Sequence, residues 1–238
     1  MSGKPRASIT RCPLWWVLAL LGLAYAVVVQ RPGCAERSHL ALIEALARGT
    51  ARIDAEAIEY CDVSYWEGAF YSNKGPGLAV LALPLERLAG WLGVLPADEA
   101  HRVWLLGLWT VVVFALVLLW LVARMAERVA EGTGPLVAAA LGAGTLILPF
   151  ATLFFTHVTA ATLGFASFVV LWTARRDPGG TMRVAGAGLL AGLSGVVEYP
   201  MAFVAAALLV YAATGVGRLR GGLAFVVGSA FGILPLLV

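Results

Sequence analysis

The residues with the most chemistry in them stand in a short polar segment. Asp62, Gly68, Tyr71, Lys74, Pro76 and Gly77 form the pattern D-x5-G-x2-Y-x2-K-x-P-G. A carboxylate near water can accept a hydroxyl proton, so Asp62 is a candidate base. A fixed cation can hold a phosphate, which makes Lys74 a candidate anion site. Glu36, upstream in Gly33-Cys34-Ala35-Glu36-Arg37, is a second candidate base. His157 in LFFTH, and Glu198 with Tyr199, are the remaining polar candidates. Trp66, Phe70 and Tyr71 offer aromatic surface of the kind found at sugar sites and at membrane interfaces. Each residue also has a structural reading. Lys74 can anchor a helix to headgroups, Asp62 can cap a turn, and Glu36 can be a solvated charge. His157 can be a helix-end histidine, and Glu198 can pair with an arginine. No cysteine or histidine spacing points to a metal, and no cofactor is implied.

The elements that hold these residues are apolar. Of 238 residues, 61% are hydrophobic and 13% charged, with a mean hydropathy of +0.87. A soluble domain carries roughly 45–50% apolar and about 25% charged residues. The composition excludes a disordered chain, a nucleic-acid-binding protein and an ordinary cytosolic enzyme, and leaves an integral membrane protein. A spanning helix needs about 20 mostly apolar residues. Runs at Pro13–Gln30, Val103–Ala123, Gly132–Ala174, Val184–Val197, Tyr199–Gly217 and Gly221–Val238 carry no charge. They do not alternate as barrel strands would, and they read as helices. The first run carries Trp15, Trp16 and Tyr25 with no small-x-small cleavage site, so it reads as an uncleaved span.

Basic residues orient the chain. If Gly75–Leu95 crosses the membrane, Arg124, Arg128, Arg175, Arg176, Arg183, Arg218 and Arg220 fall outside. If it lies on the outer surface, all seven fall inside with Lys4, Arg6 and Arg11, as the enrichment of Lys and Arg in cytoplasmic loops requires. Its Pro76, Pro84, Glu86 and Arg87 also suit an interfacial helix. The expected fold is an all-α polytopic membrane bundle of about seven spans in one module. The spans are 13–30, 102–123, 135–150, 156–174, 184–198, 200–214 and 222–238. A long external loop, 31–101, carries the interfacial helix 75–95. The amino terminus is expected in the cytoplasm and the protein in the cell membrane. The pair 184–198 and 200–214 is either one kinked helix or, preferably, a hairpin turning at Glu198-Tyr199-Pro200, which keeps Glu198 out of mid-membrane.

Within the loop, His39–Arg48 (HLALIEALAR) has apolar residues at helical spacing and is followed by Gly49, a helix signature. Cys34 and Cys61 both fall in this region, where a disulfide can persist; a bond between them would stabilise the loop by roughly 3–4 kcal/mol. The alternative is two unrelated thiols.

A first span, a long external loop containing SHLALIEALARGTARID, the Asp62–Gly77 motif and PFATLFFTH between spans together resemble the C-type membrane glycosyltransferases (GT-C). Within these the sequence is most similar to the family 39 branch of protein O-mannosyltransferases, aminoarabinose transferases and bacterial relatives. The resemblance covers about residues 13–238. It implies a polyprenyl-phosphate sugar donor and transfer to an acceptor on the outer face with inversion. It also implies an acidic base in the first external loop and basic residues on the departing lipid phosphate. Glu36 or Asp62 would be the base. Lys74, Tyr71, His157, Glu198 and Tyr199 would line the lipid-phosphate or substrate site. The chain departs from the family where Gly33-Cys34-Ala35-Glu36 stands in place of an Asp-Glu pair and Glu198-Tyr199-Pro200 in place of Lys-Gly. His157 stands where some relatives carry an acid, so neither sugar nor acceptor transfers. The last apolar run reaches Val238 without a polar tail, which reads as an amino-terminal fragment of a longer family member. The alternatives are a non-catalytic relative that binds lipid or assists assembly, and a transporter, which would need a site at mid-membrane.

Overall fold

The structure is a computed structural model, and it describes residues 13–54, 62–176, 180–215 and 218–237. The chain forms an all-α bundle with one small β-hairpin among the described residues. The elements are α1 (Leu14–Ala26), α2 (Cys34–Ala47), β1 (Val63–Trp66), β2 (Ala69–Ser72) and α3 (Gly77–Trp91). Then α4 (Glu99–Gly107) continues through a π-turn (Leu108–Val112) into α5 (Val113–Val129), followed by α6 (Gly134–Gly144) and α7 (Ile147–Ala151). The chain closes with α8 (Thr156–Arg176), α9 (Gly180–Val197), α10 (Met201–Ala213) and α11 (Leu219–Ile233).

Four helices are long and apolar enough to cross a membrane: Glu99–Val129, Thr156–Arg176, Gly180–Val197 and Leu219–Leu236. Leu14–Ala26, Gly134–Gly144 and Met201–Ala213 are apolar but shorter. At 1.5 Å per residue they reach roughly 16–20 Å, less than the ~30 Å hydrocarbon core. The outward faces are apolar: Phe203, Leu136 and Leu223 are exposed, as lipid-facing side chains are. The protein is therefore a membrane-embedded helical bundle.

Two expected boundaries are corrected. The span expected at 135–150 is split, because Thr145 is extended (φ −132°, ψ −177°) and separates α6 from α7. The Thr145 hydroxyl accepts the Ile147 N–H and donates to Leu141 O, holding the break. The span expected from 102 begins at Glu99, where the Asp98 carboxylate accepts the His101 N–H at 3.0 Å and caps the helix. The break at Glu198-Tyr199-Pro200 separates α9 from α10 as a hairpin would require.

Cross-links between helices define their directions. The Trp104 indole donates to Ala26 O (2.7 Å) while Gly22 meets Leu116, so α1 runs against α4–α5. Thr159 donates to Thr110 O (2.6 Å) and Thr162 to Phe114 O (2.9 Å), so α8 runs with α4–α5. Ser167 donates to Ala187 O (2.7 Å) and Ser194 to Ala160 O (2.8 Å), so α9 returns against α8. These buried hydroxyls join helices where apolar packing alone has no lipid-excluding force behind it, at about 0.6 kcal/mol each. The contact between α9 and α11 is backbone on backbone. Side chains at Gly188 or Gly228 would collide with Phe225 O or Ala185 O, which is why these positions hold glycine.

The segment from α2 to α3 packs across one end of this bundle. Gly75 and Gly77 meet Val196 and Val197, the last residues of α9, and Glu86 pairs with Arg102, near the start of α4. The end of α9 and the start of α4 lie at the same end, so α3 does not run the bundle's length.

Candidate functional site

The hairpin brings Asp62 and Lys74 together. Val63 pairs with Ser72 at its base, and the strands are joined by Glu67-Gly68, both at positive φ (48° and 82°), as tight hairpin turns require. Just outside the ladder the Asn73 N–H donates to Asp62 O at 3.5 Å, and the next residue, Lys74, reaches back so that its Nζ lies 2.9 Å from Asp62 Oδ2. Helix α2 clamps this base. The Ser38 hydroxyl donates to Asp62 O at 2.5 Å and lies 2.7 Å from Ser72 Oγ, which accepts the Lys74 N–H at 3.2 Å. The hydrogen bond from Lys74 holds the Asp62 carboxyl below its usual range, against the opposing pull of desolvation.

His39, the next residue of α2, is 1% exposed. Its ring packs edge-on against Phe154, with centroids 5.9 Å apart, and its Nδ1 has no hydrogen-bond partner among the described residues. Burial pushes its pKa down to about 3, the Lys74 charge pushes the same way, and Asp62 opposes them. The imidazole is therefore neutral.

A second cluster forms where α8 begins and α9 ends. The Thr156 hydroxyl donates to the Glu198 carboxylate, and His157 Nδ1 lies 3.4 Å from Glu198 Oε2. Phe155 stacks on the His157 ring at 5.8 Å and Phe150 meets it edge-on at 4.8 Å. The two clusters join through Phe154, which reaches His39, and through the Gly-Pro-Gly of the motif. A Cβ at Gly75 would stand 2.6 Å from Val196 O, and one at Gly77 2.6 Å from Val197 N. Both glycines thus let the hairpin sit on the end of α9, beside Glu198.

Glu36 is 6% exposed, in the first turn of α2. Its Oε2 accepts the Gly33 N–H at 3.0 Å, which caps the helix. It also lines a cleft between the end of α1, α2, α4 and the segment after α7, with Gln30, Arg31, Trp104 and Phe154. Gln30 donates to Thr152 Oγ1 at 2.9 Å across this cleft. Tyr71 pairs with Ser64 in the ladder and is half-buried. Tyr199 is 53% exposed and borders a groove between α9, α10 and α11. Cys34 is disulfide-bonded, while Cys61 lies outside the described residues. Among the described residues no group of three or more His, Cys, Asp or Glu could hold a metal.

Two features have only weak sequence signals. His39 is at helical spacing from Leu42, Ile43 and Leu46, which marks it as inward-facing. Glu86, expected at an interface, is 4% exposed, and Arg102 bridges it to Glu44, with Nη1 2.6 Å from Glu44 Oε1. A charge inside an apolar run needs a partner, which is the signal available for Glu86.

Compared with protein-family models, curated proteins and solved structures, the chain matches none.

Proposed function

We propose that this protein is a membrane glycosyltransferase that uses a polyprenyl-phosphate sugar, with its site at the end of the bundle covered by α2, the hairpin and α3. The reading rests on the sequence resemblance and on one observation. A locked carboxylate–ammonium pair, Asp62–Lys74, stands beside a buried histidine, and α2, which clamps it, also sends Glu36 to the wall of a cleft. In this reading Glu36 removes the acceptor hydroxyl proton. The oxygen bonds to the anomeric carbon from the face opposite the phosphate, the carbon–oxygen bond to phosphate breaks, and the electron pair leaves with the lipid phosphate. Lys74 offsets the charge that develops there. Asp62 serves better as the group that orients Lys74 than as the base, because an acidified, ion-paired carboxylate is a weak proton acceptor. His157, Glu198, Tyr71 and Tyr199 bound the substrate. Each of the seven apolar helices crosses once, the three shorter ones with local thinning of the bilayer, and the amino terminus lies in the cytoplasm, the site outside and the arginine-rich end inside.

The test is sugar transfer from polyprenyl-phosphate sugars by the purified chain. Glu36→Gln and Lys74→Ala should each lower the rate by about 100-fold or more, and Asp62→Asn by less than Lys74→Ala. Unchanged transfer in all three removes the mechanism. A second reading, a non-catalytic relative that binds lipid or assists assembly, draws on the fact that Lys74 and Glu36 already have partners, Asp62 and the Gly33 N–H. Lipid retention with no transfer from any donor would favour it.

A further inference from the structure

At the opposite end of the bundle, Arg128 from α5, Arg176 from α8 and Arg183 from α9 border one pocket with Trp172 and Thr173. Trp172 organises it. The Arg176 guanidinium lies over the indole at 3.7 Å and that of Arg128 stands 5.2 Å from the ring centroid. Stacking engages the face of a guanidinium and leaves its N–H edge directed sideways, the geometry that grips a phosphate. Neighbouring Arg175 differs. It donates to Tyr211 O and to Thr214 Oγ1 (2.7 Å) and lies over the Tyr211 ring at 3.6 Å, so its donors close the end of α10. Arg128 and Arg176 have no ion pair with an acid among the described residues. The nearby Glu127 carboxylate accepts the N–H groups of Gly132 (2.7 Å) and Gly134 (2.8 Å). Arg183 lies in the first turn of α9, where helix N–H groups favour an anion.

The chain next to the pocket's arginines is apolar and exposed. Val129 and Met182, the chain neighbours of Arg128 and Arg183, are 86% and 82% exposed. A free phosphate in water has no use for apolar side chains beside its site, whereas a lipid headgroup carries acyl chains that can cover them. We infer that this pocket binds the phosphate of an anionic phospholipid, gripped by Arg128 and Arg176 across Trp172. It stands apart from the candidate site and does not depend on what that site does.

The test uses the full chain in neutral detergent, titrated with phosphatidylglycerol and separately with phosphatidylcholine, with bound lipid read by native mass spectrometry. Phosphatidylglycerol should bind about tenfold more tightly, and the double variant Arg128→Gln/Arg176→Gln should lose about that factor. Arg218→Gln/Arg220→Gln removes the same charge from the same end outside the pocket and should change affinity by less than about twofold. Equal loss in both double variants would overturn the pocket in favour of diffuse attraction. Equal binding of the two lipids by the unsubstituted chain would overturn it without recourse to any variant. Displacement of phosphatidylglycerol by inorganic phosphate, beyond that by chloride at matched ionic strength, would overturn the lipid assignment.

Discussion

The two ends of the bundle handle charge in opposite ways. At the candidate-site end Asp62 pairs with Lys74, and Glu44 and Glu86 pair with Arg102, while Glu198 lies beside His157 and Glu36 accepts the Gly33 N–H. Glu86 is buried, at 4% exposed, where a carboxylate without a partner would be costly, while the Asp62–Lys74 pair is part-exposed. At the other end Arg128, Arg175 and Arg176 are exposed and lie on aromatic rings. The first end spends its charges on fixing geometry, since Arg102 bridges two carboxylates and Ser38 and Ser72 hold the backbone of Asp62 and Lys74. The second holds Arg128 and Arg176 on Trp172, with their donor edges left to an incoming anion.

If that difference holds, substitutions at the two ends should differ in cost. The largest effect is expected for Arg102→Leu. It strands Glu86, 4% exposed, and takes one partner from Glu44, and should destabilise the fold by about 3–5 kcal/mol, read as a lowered unfolding midpoint in detergent. A loss below about 1 kcal/mol would place these carboxylates in water and erase the contrast.

Next comes pH. His39 has a folded pKa of about 3 against an ordinary value of 6.5. Below 6.5 the unfolded chain binds a proton that the folded chain refuses, so stability falls as pH drops from 6.5 towards 3 and is level above 6.5. At about 1.36 kcal/mol per pH unit the loss should be on the order of 2 kcal/mol by pH 5, and His39→Phe should remove it from the pH profile. An unaltered profile in His39→Phe would mean that the ring is solvated. Asp62 adds to acid sensitivity only at lower pH. Its carboxyl is depressed, so its contribution is present above the ordinary carboxylate range and is lost as pH falls through the depressed value.

The smallest effect is expected at the other end. Arg176→Ala should cost less than about 1 kcal/mol, because an exposed guanidinium on a ring contributes little to folding. A loss comparable to that of Arg102→Leu would make this end structural too.

Much of the fold was legible because apolar helices announce themselves. The uncharged runs marked the seven apolar helices, and the prolines and paired charges of 75–95 marked a helix that stays at one end. The break at Thr145 was not legible, since threonine is tolerated in membrane helices and the hydrogen bonds that stabilise its extended backbone are local. The Lys-x-Pro-Gly stretch was legible as a motif but not as packing. That Gly75 and Gly77 are needed against Val196 and Val197 depends on a contact between segments far apart in sequence.

The candidate site divides the same way. Asp62, Lys74, Glu36, His157 and Glu198 stood out as polar residues in an apolar chain. Which of them touch, and the burial of His39 beside them, could not be read.

By itself the sequence determined that the chain is a membrane-embedded helical bundle, because hydropathy and charge interruptions act locally along each helix. The tertiary structure decided the pairing of Asp62 with Lys74 through the hairpin register and Ser38. It also decided the neutral state of His39 and the bridging of Glu44 and Glu86 by Arg102. Each of these depends on distances between segments that no local pattern encodes, and on desolvation that arises only when the segments close over one another.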